Sequence, residues 1–231
     1  MNLGLVGKAY IDTIVYLDSF MLGETNPVLS IDFECLGGMY NISDIDGVNP
    51  AYFPFGKKNS LIISESHESR RTSIVQDDDD TSTQEVNLDD LDADWMHIIY
   101  IDDINNTNIS VKEKPMSIDF CTIQDRGAYD NTINQSEIIF DSRERKSLYQ
   151  NILCKTPIVL HDENGCECIV LGKKEFYSKT KAISGLNVNG AGDIFASIFI
   201  REYLNSDLKS AVKSTSQLTT MEILRKNEQE I

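Results

Sequence analysis

Short runs of apolar, often β-branched residues alternate along the chain with polar, turn-rich stretches. Leu3 to Val6 and Ile11 to Leu17, interrupted by Gly7 and carrying Asp12, predict one or two strands. Val28 to Leu36 predicts another extended segment ending at Gly37-Gly38, and Ala51 to Phe55 and Ser60 to Ser64 predict two short strands. Trp95 to Ile101 is a continuous apolar run, the pattern of a parallel strand buried on both faces. Ser117 to Cys121, Ile138 to Phe140 and Ile158 to Leu160 repeat it, each followed by polar or helix-compatible sequence. Cys166 to Leu171 and Glu175 to Tyr177 predict a hairpin turning at 172–174. Ile194 to Leu204 and Asp207 to Arg225 predict helices, the second with Asp207 as its N-cap. Strands alternating with helices predict an α/β fold, a doubly wound and mostly parallel sheet flanked by helices. No internal repeat interrupts it, so residues 1–231 read as one domain.

Composition narrows the partners. At 41% hydrophobic and 25% charged, the 231 residues are enough for a substantial core under an ordinary polar surface. A formal net charge of −16 argues against nucleic acid and anionic membranes as partners, because both carry the same sign. It does not exclude nucleotides, since backbone N–H groups can build a local phosphate site on an acidic protein. No stretch of about 20 apolar residues is present to span a bilayer, and the first residues lack a basic, apolar leader pattern. Five cysteines, at 35, 121, 154, 166 and 168, form no disulfide framework, so a cytoplasmic location is expected.

Asn189-Gly190-Ala191-Gly192-Asp193-Ile194-Phe195-Ala196 carries the most chemistry. Glycines let backbone approach an anion closely. The helix that follows presents unpaired N–H groups and the positive end of its dipole. Gly190, Ala191 and Gly192 thus make a candidate anion hole for a transferring phosphoryl group, and Asp193 a candidate base for an attacking hydroxyl. The bland reading is only a tight turn with an Asp N-cap, and the tetrapeptide alone leaves the two evenly matched.

Leu186 to Ala196 resembles the C-terminal signature of the ribokinase (PfkB) carbohydrate kinases, V-D-T-T/N-G-A-G-D-x-F. Val6 to Leu17 is similar to that family's opening strand, Gly23-Glu24-Thr25 to the start of its lid, and Gly37-Gly38-Met39-Tyr40-Asn41 to its sugar-contacting glycine pair. Ile138 to Glu144 resembles the strand ending in the N-x-x-E metal and phosphate motif, and Pro157 to Gly165 the strand before the nucleotide loop. These matches run in family order over nearly the whole chain. The resemblance implies a ribokinase-like fold with a small β lid at about residues 12–37. It implies phosphoryl transfer from ATP to a hydroxyl of a sugar or nucleoside, with Mg2+ as cofactor and a monovalent cation as a further candidate. Asp193 becomes the base, Gly190, Ala191 and Gly192 the phosphate hole, and Asp12, Gly37, Gly38 and Asn41 the acceptor site. Glu144 and Asp141 become candidate metal residues acting through water, and lid pairing suggests a homodimer.

The chain also departs from that pattern. Asn187 stands where the signature opens with Asp, and Asp141-x-x-Glu144 replaces N-x-x-E. Asp162 brings negative charge toward the expected phosphate, and the chain is short between Asn41 and Trp95 and after Asp193. A catalytically weakened or inactive sugar- or nucleotide-binding protein on the same fold is therefore the alternative, and an acidic interaction module a third. Asp77 to Asp80 read as a solvated loop rather than a metal site. Cys166 and Cys168 read as buried thiols. His67, His97 and His161 show no triad spacing. No basic cluster beside Asp12 or Gly38 marks a phosphorylated acceptor, which favours a neutral one.

Overall fold

The computed structural model describes residues 1–65, 70–75, 85–104, 108–110, 113–122, 126–149, 154–183 and 186–229. The acidic run Asp77 to Asp80 and His67 lie outside the described residues. Twelve strands are described: β1 Asn2–Leu17, β2 Val28–Gly38, β3 Asn49–Glu65, β4 Arg70–Val75, β5 Glu85–Asn87, β6 Trp95–Ile98, β7 Asn108–Ser110, β8 Met116–Asp119, β9 Ile138–Ser142, β10 Ile158–Asp162, β11 Gly165–Val170 and β12 Lys173–Lys179. Three α-helices accompany them, α1 Asp130–Gln135, α2 Ala191–Asn205 and α3 Leu208–Gln229. Ten of the strands form one sheet in the order β12-β11-β10-β9-β8-β6-β1-β3-β4, with β2 also paired to β1. β3, β1, β6, β8, β9 and β10 run parallel, and β11 and β12 add an antiparallel edge.

Side chains of the central strands alternate between two cores, as a sheet covered on both faces requires. Leu3, Leu5, Trp95, Ile138, Phe140, Val159, Cys166 and Cys168 pack on one face with α2 and α3. Val6, Met96, Ile98, Met116, Ile118, Ile139, Ile158 and Leu160 pack on the other, with Ile133 of α1 and Tyr149. Ser210 N–H donates to Asp207 Oδ1 at 2.7 Å, capping α3 as expected. The crossovers between β6 and β10 hold mainly 3-10 turns and the six-residue α1 among the described residues, so they are less helical than the alternation suggests.

Two expected breaks are not breaks. β1 runs through Gly7 as one strand of 16 residues, and β3 runs through Gly56 as one of 17. Each makes good the other's irregularity, because they pair in parallel along nearly their whole length with a single register shift between Gly7 and Ala9. The first half of β1 lies between β6 and β3. Beyond Ala9, β2 takes the place of β6. The sheet thus splays into a small four-stranded layer, β2-β1-β3-β4, that draws on residues 57–65 and 70–75 as well as on the stretch 12–37.

Candidate active site

β1 is the point where the chain switches direction across the sheet: β3 joins on one side and β6 on the other. Ligand sites of open α/β sheets form at such a point, beyond the carboxyl ends of the strands. Here the N-terminus of α2 meets the turn after β6, and the small sheet continues from β1 beside them.

Gly190 starts α2 in a left-handed conformation, φ 74°. A Cβ there would sit 2.5 Å from Asn41 Cβ, so glycine is required both by the backbone and by the close approach of Asn41. Ala191 N–H is used within the turn, donating to Val188 O at 3.1 Å. The first i→i−4 bond is Ile194 N–H to Gly190 O at 2.9 Å, so the amides of Gly192 and Asp193 precede the helical ladder. Beside them the Asn189 side chain has both Nδ2 and Oδ1 buried without a partner.

Asp193 is 1% exposed. Its Oδ2 accepts from Asn41 Nδ2 at 2.8 Å and from the Tyr100 hydroxyl at 3.2 Å, while Oδ1 is buried with no partner among the described residues. Burial is the main force raising its pKa to about 6. The two hydrogen bonds and the charge of Arg71 oppose that rise, and Asp12 adds to it. Asp193 is therefore ionised at neutral pH but basic enough to accept a proton. Asn41 is itself held by Lys226 of α3, which donates to Asn41 O at 2.9 Å.

Asp12 and Ser60 face each other on β1 and β3, and Ser60 Oγ donates to Asp12 Oδ1. Asp12 is buried, and burial raises its pKa. Gly37 lies against this carboxylate, which a Cβ at that position would have to displace. Gly38, φ 61°, packs on the ring of Tyr10. Asp12, Gly37, Gly38, Asn41 and Asp193 are thus gathered around the junction of the two sheet layers.

Asp141 and Glu144 are not. Asp141 is fully buried, and four donors fill its lone pairs. Arg126 Nη2 (2.8 Å) and the Tyr149 hydroxyl (2.6 Å) reach Oδ2, and Arg145 Nε and Ser142 N–H reach Oδ1. No lone pair is left for a metal. Glu144 is exposed. Among the described residues no group of three His, Cys, Asp or Glu is arranged to hold a metal ion. Magnesium does not fit Asp141 as a direct ligand. Asp162 is paired with Arg143 at 2.8 Å, which offsets its charge. His161 lies 3.4 Å from where a Cβ of Gly192 would be and stacks on Phe195, and burial lowers its pKa to about 4.

Three residues here were not anticipated from sequence. Tyr100 occupies a left-handed backbone position, φ 54° and ψ 61°, which costs about 1–2 kcal/mol for a residue with a Cβ. Arg71 of β4 pairs with Ser64, on the face of the small sheet that carries Asp12 and Ser60, and its charge acts on both Asp12 and Asp193. Asp119 ends β8, and burial with Asp193 and Asp141 nearby pushes its pKa well up. Only Tyr100 left a local trace, as the end of an apolar run followed by two aspartates.

No family model matches the sequence, and no curated protein matches it. Solved structures do. The chain is similar to ribokinase from Thermotoga maritima, with a TM-score of 0.60 and 11% identity over 96% of this chain and 92% of that one. It is similar to the Burkholderia thailandensis nucleoside kinase solved with inosine, with a TM-score of 0.62 and 11% identity over 96% of this chain and 90% of that one. It is also similar to a pyrophosphate-dependent kinase in the ribokinase family solved with sulfate, with a TM-score of 0.61 and 12% identity over 99% of this chain and 100% of that one. The chain has the ribokinase fold.

Proposed function

We propose that this chain is a carbohydrate kinase of the ribokinase family that moves the γ-phosphoryl group of ATP to a hydroxyl of a sugar or nucleoside. The observation that carries the reading is Asp193 itself: a buried carboxylate in the first turn of α2, beside a glycine turn, with Oδ1 unpartnered. Asp12 and Asn41 would orient the acceptor, and Asp193 would take the proton of the attacking hydroxyl. Gly190 would keep the backbone open to the donor, and the amides of Gly192 and Asp193 would hold the transferring group. ATP supplies the phosphoryl group and Mg2+ its charge neutralisation, the latter held by phosphates and water rather than by Asp141. The small sheet would exclude water from the acceptor. Its outer face exposes Leu29, Ile31, Phe33, Leu36, Leu61 and Ile74, which supports pairing of two such faces in a homodimer. A cytoplasmic location accords with this chemistry; among the described residues no helix is long and apolar enough to cross a membrane.

The test is donor consumption, with ATP and with pyrophosphate, across a panel of neutral and anionic sugars and nucleosides, with Asp193→Asn as control. Turnover of one acceptor that falls by about 10²–10⁴ in the variant supports the reading. Asn187, where the family signature opens with Asp, favours the second reading, a binding protein without turnover. A ligand-induced thermal shift with no consumption of either donor identifies that one.

A further inference from the structure

The two oxygens of Asp193 are treated unequally. Both side-chain donors, Asn41 and Tyr100, fall on Oδ2, and neither reaches Oδ1. Two donors on one oxygen fix the plane of a carboxylate and choose which lone pairs remain. Tyr100 makes its bond from a strained left-handed backbone, a conformation more typical of glycine. The ring is braced edge-on by Tyr10, with centroids 5.8 Å apart and planes at 84°. Burial and the adjacent Asp193 push the pKa of the Tyr100 phenol well up, so the hydroxyl stays a donor throughout the neutral range. The other ionisable groups facing Asp193 are Asp12 on β1, Arg71 on β4 and Asp119 on β8, and they act through space. His161 of β10 lies against the neighbouring Gly192, and Lys226 of α3 holds the Asn41 carbonyl rather than the carboxylate.

We propose that Tyr100 is a positioning residue: its hydroxyl anchors Asp193 through Oδ2 and so leaves Oδ1 as the oxygen that receives the acceptor's proton. This rests on the phosphoryl-transfer reading above. In that step the acceptor O–H bond breaks and its proton goes to Oδ1. The freed electron pair forms the new O–P bond, and the bond from the γ-phosphorus to the departing diphosphate breaks with its electron pair leaving on the diphosphate.

Tyr100→Phe keeps the ring and the backbone strain and removes only the donor. Two measurements compare it with the unaltered chain: the titration of the Asp193 carboxyl by ¹³C NMR, assigned from its loss in Asp193→Asn, and the pH profile of kcat/KM. The ionised carboxylate loses a donor, so the titration and the acid limb of the profile should both move to higher pH by about one unit. If Tyr100→Phe does not fold, 3-fluorotyrosine at position 100, a stronger donor, should move both the other way. An unmoved titration overturns the proposal even where the overall rate falls, because a merely structural residue lowers rate without moving the titration. Absence of turnover with every acceptor sinks the phosphoryl-transfer reading instead, and the NMR titration then decides alone whether Tyr100 holds Asp193.

Discussion

Two buried aspartates in this fold have opposite fates. Asp141 is surrounded by two guanidiniums, a phenol and a backbone amide, and every lone pair is used. Arg126, itself fully buried, also reaches Thr122 O at 2.6 Å and lies 3.6 Å from Asp102, so the cluster ties the turn after β6 to the ends of β8 and β9. Asp193 has two neutral donors, both on one oxygen, and keeps the other unpaired. A saturated carboxylate is a structural anchor. An under-satisfied one, buried beside a helix N-terminus, is poised to exchange a proton.

Removing charge at each site should separate these roles. Asp141→Asn leaves buried Arg126 without its closest carboxylate. Loss of one partner from a buried pair costs about 3–5 kcal/mol, read as a lower denaturant midpoint. Asp193→Asn should do the reverse. Its folded pKa of about 6 lies above the usual 3.8, so folding favours the protonated form. The unfolded chain loses this proton first as pH rises, and the folded state is penalised increasingly between pH 3.8 and about 6. Above that window the variant should be the more stable by about 3 kcal/mol, with the gap closing below pH 4. Melting curves at pH 3.5 and pH 8 check the sign, and a variant equally or less stable at pH 8 breaks the comparison. Gly190→Ala should cost at least about 1–2 kcal/mol for the left-handed backbone, and more for the 2.5 Å approach of its Cβ to Asn41 Cβ. The new Cβ also displaces Asn41, so the Asp193 titration should rise even where the fold survives. A titration unchanged in that variant would mean that Asn41 contributes little to the carboxylate.

Much of this was visible in the chain before folding. The apolar runs at Trp95, Ser117, Ile138 and Ile158 mark the central strands because a strand covered on both faces needs no polar alternation. The glycine turn before Asp193 marks a helix start with room for an anion. Gly7 and Gly56, in contrast, suggest interruptions, and pairing between β1 and β3 overrides them. The lid's cation was hidden for a related reason. Arg71 is 59 residues from Asp12 in the chain, and only the register of β4 against β3 sets both on one face.

Local sequence determined which segments could be strands, where the glycine turn before α2 lies and which carboxylates were available, because periodicity and glycine act over a few residues. Which carboxylate was to be neutralised and which left with a bare oxygen was decided only by tertiary structure. The donors to Asp141 come from 15 and 4 residues away, whereas those to Asp193 come from 152 and 93, and only long-range packing brings the latter together.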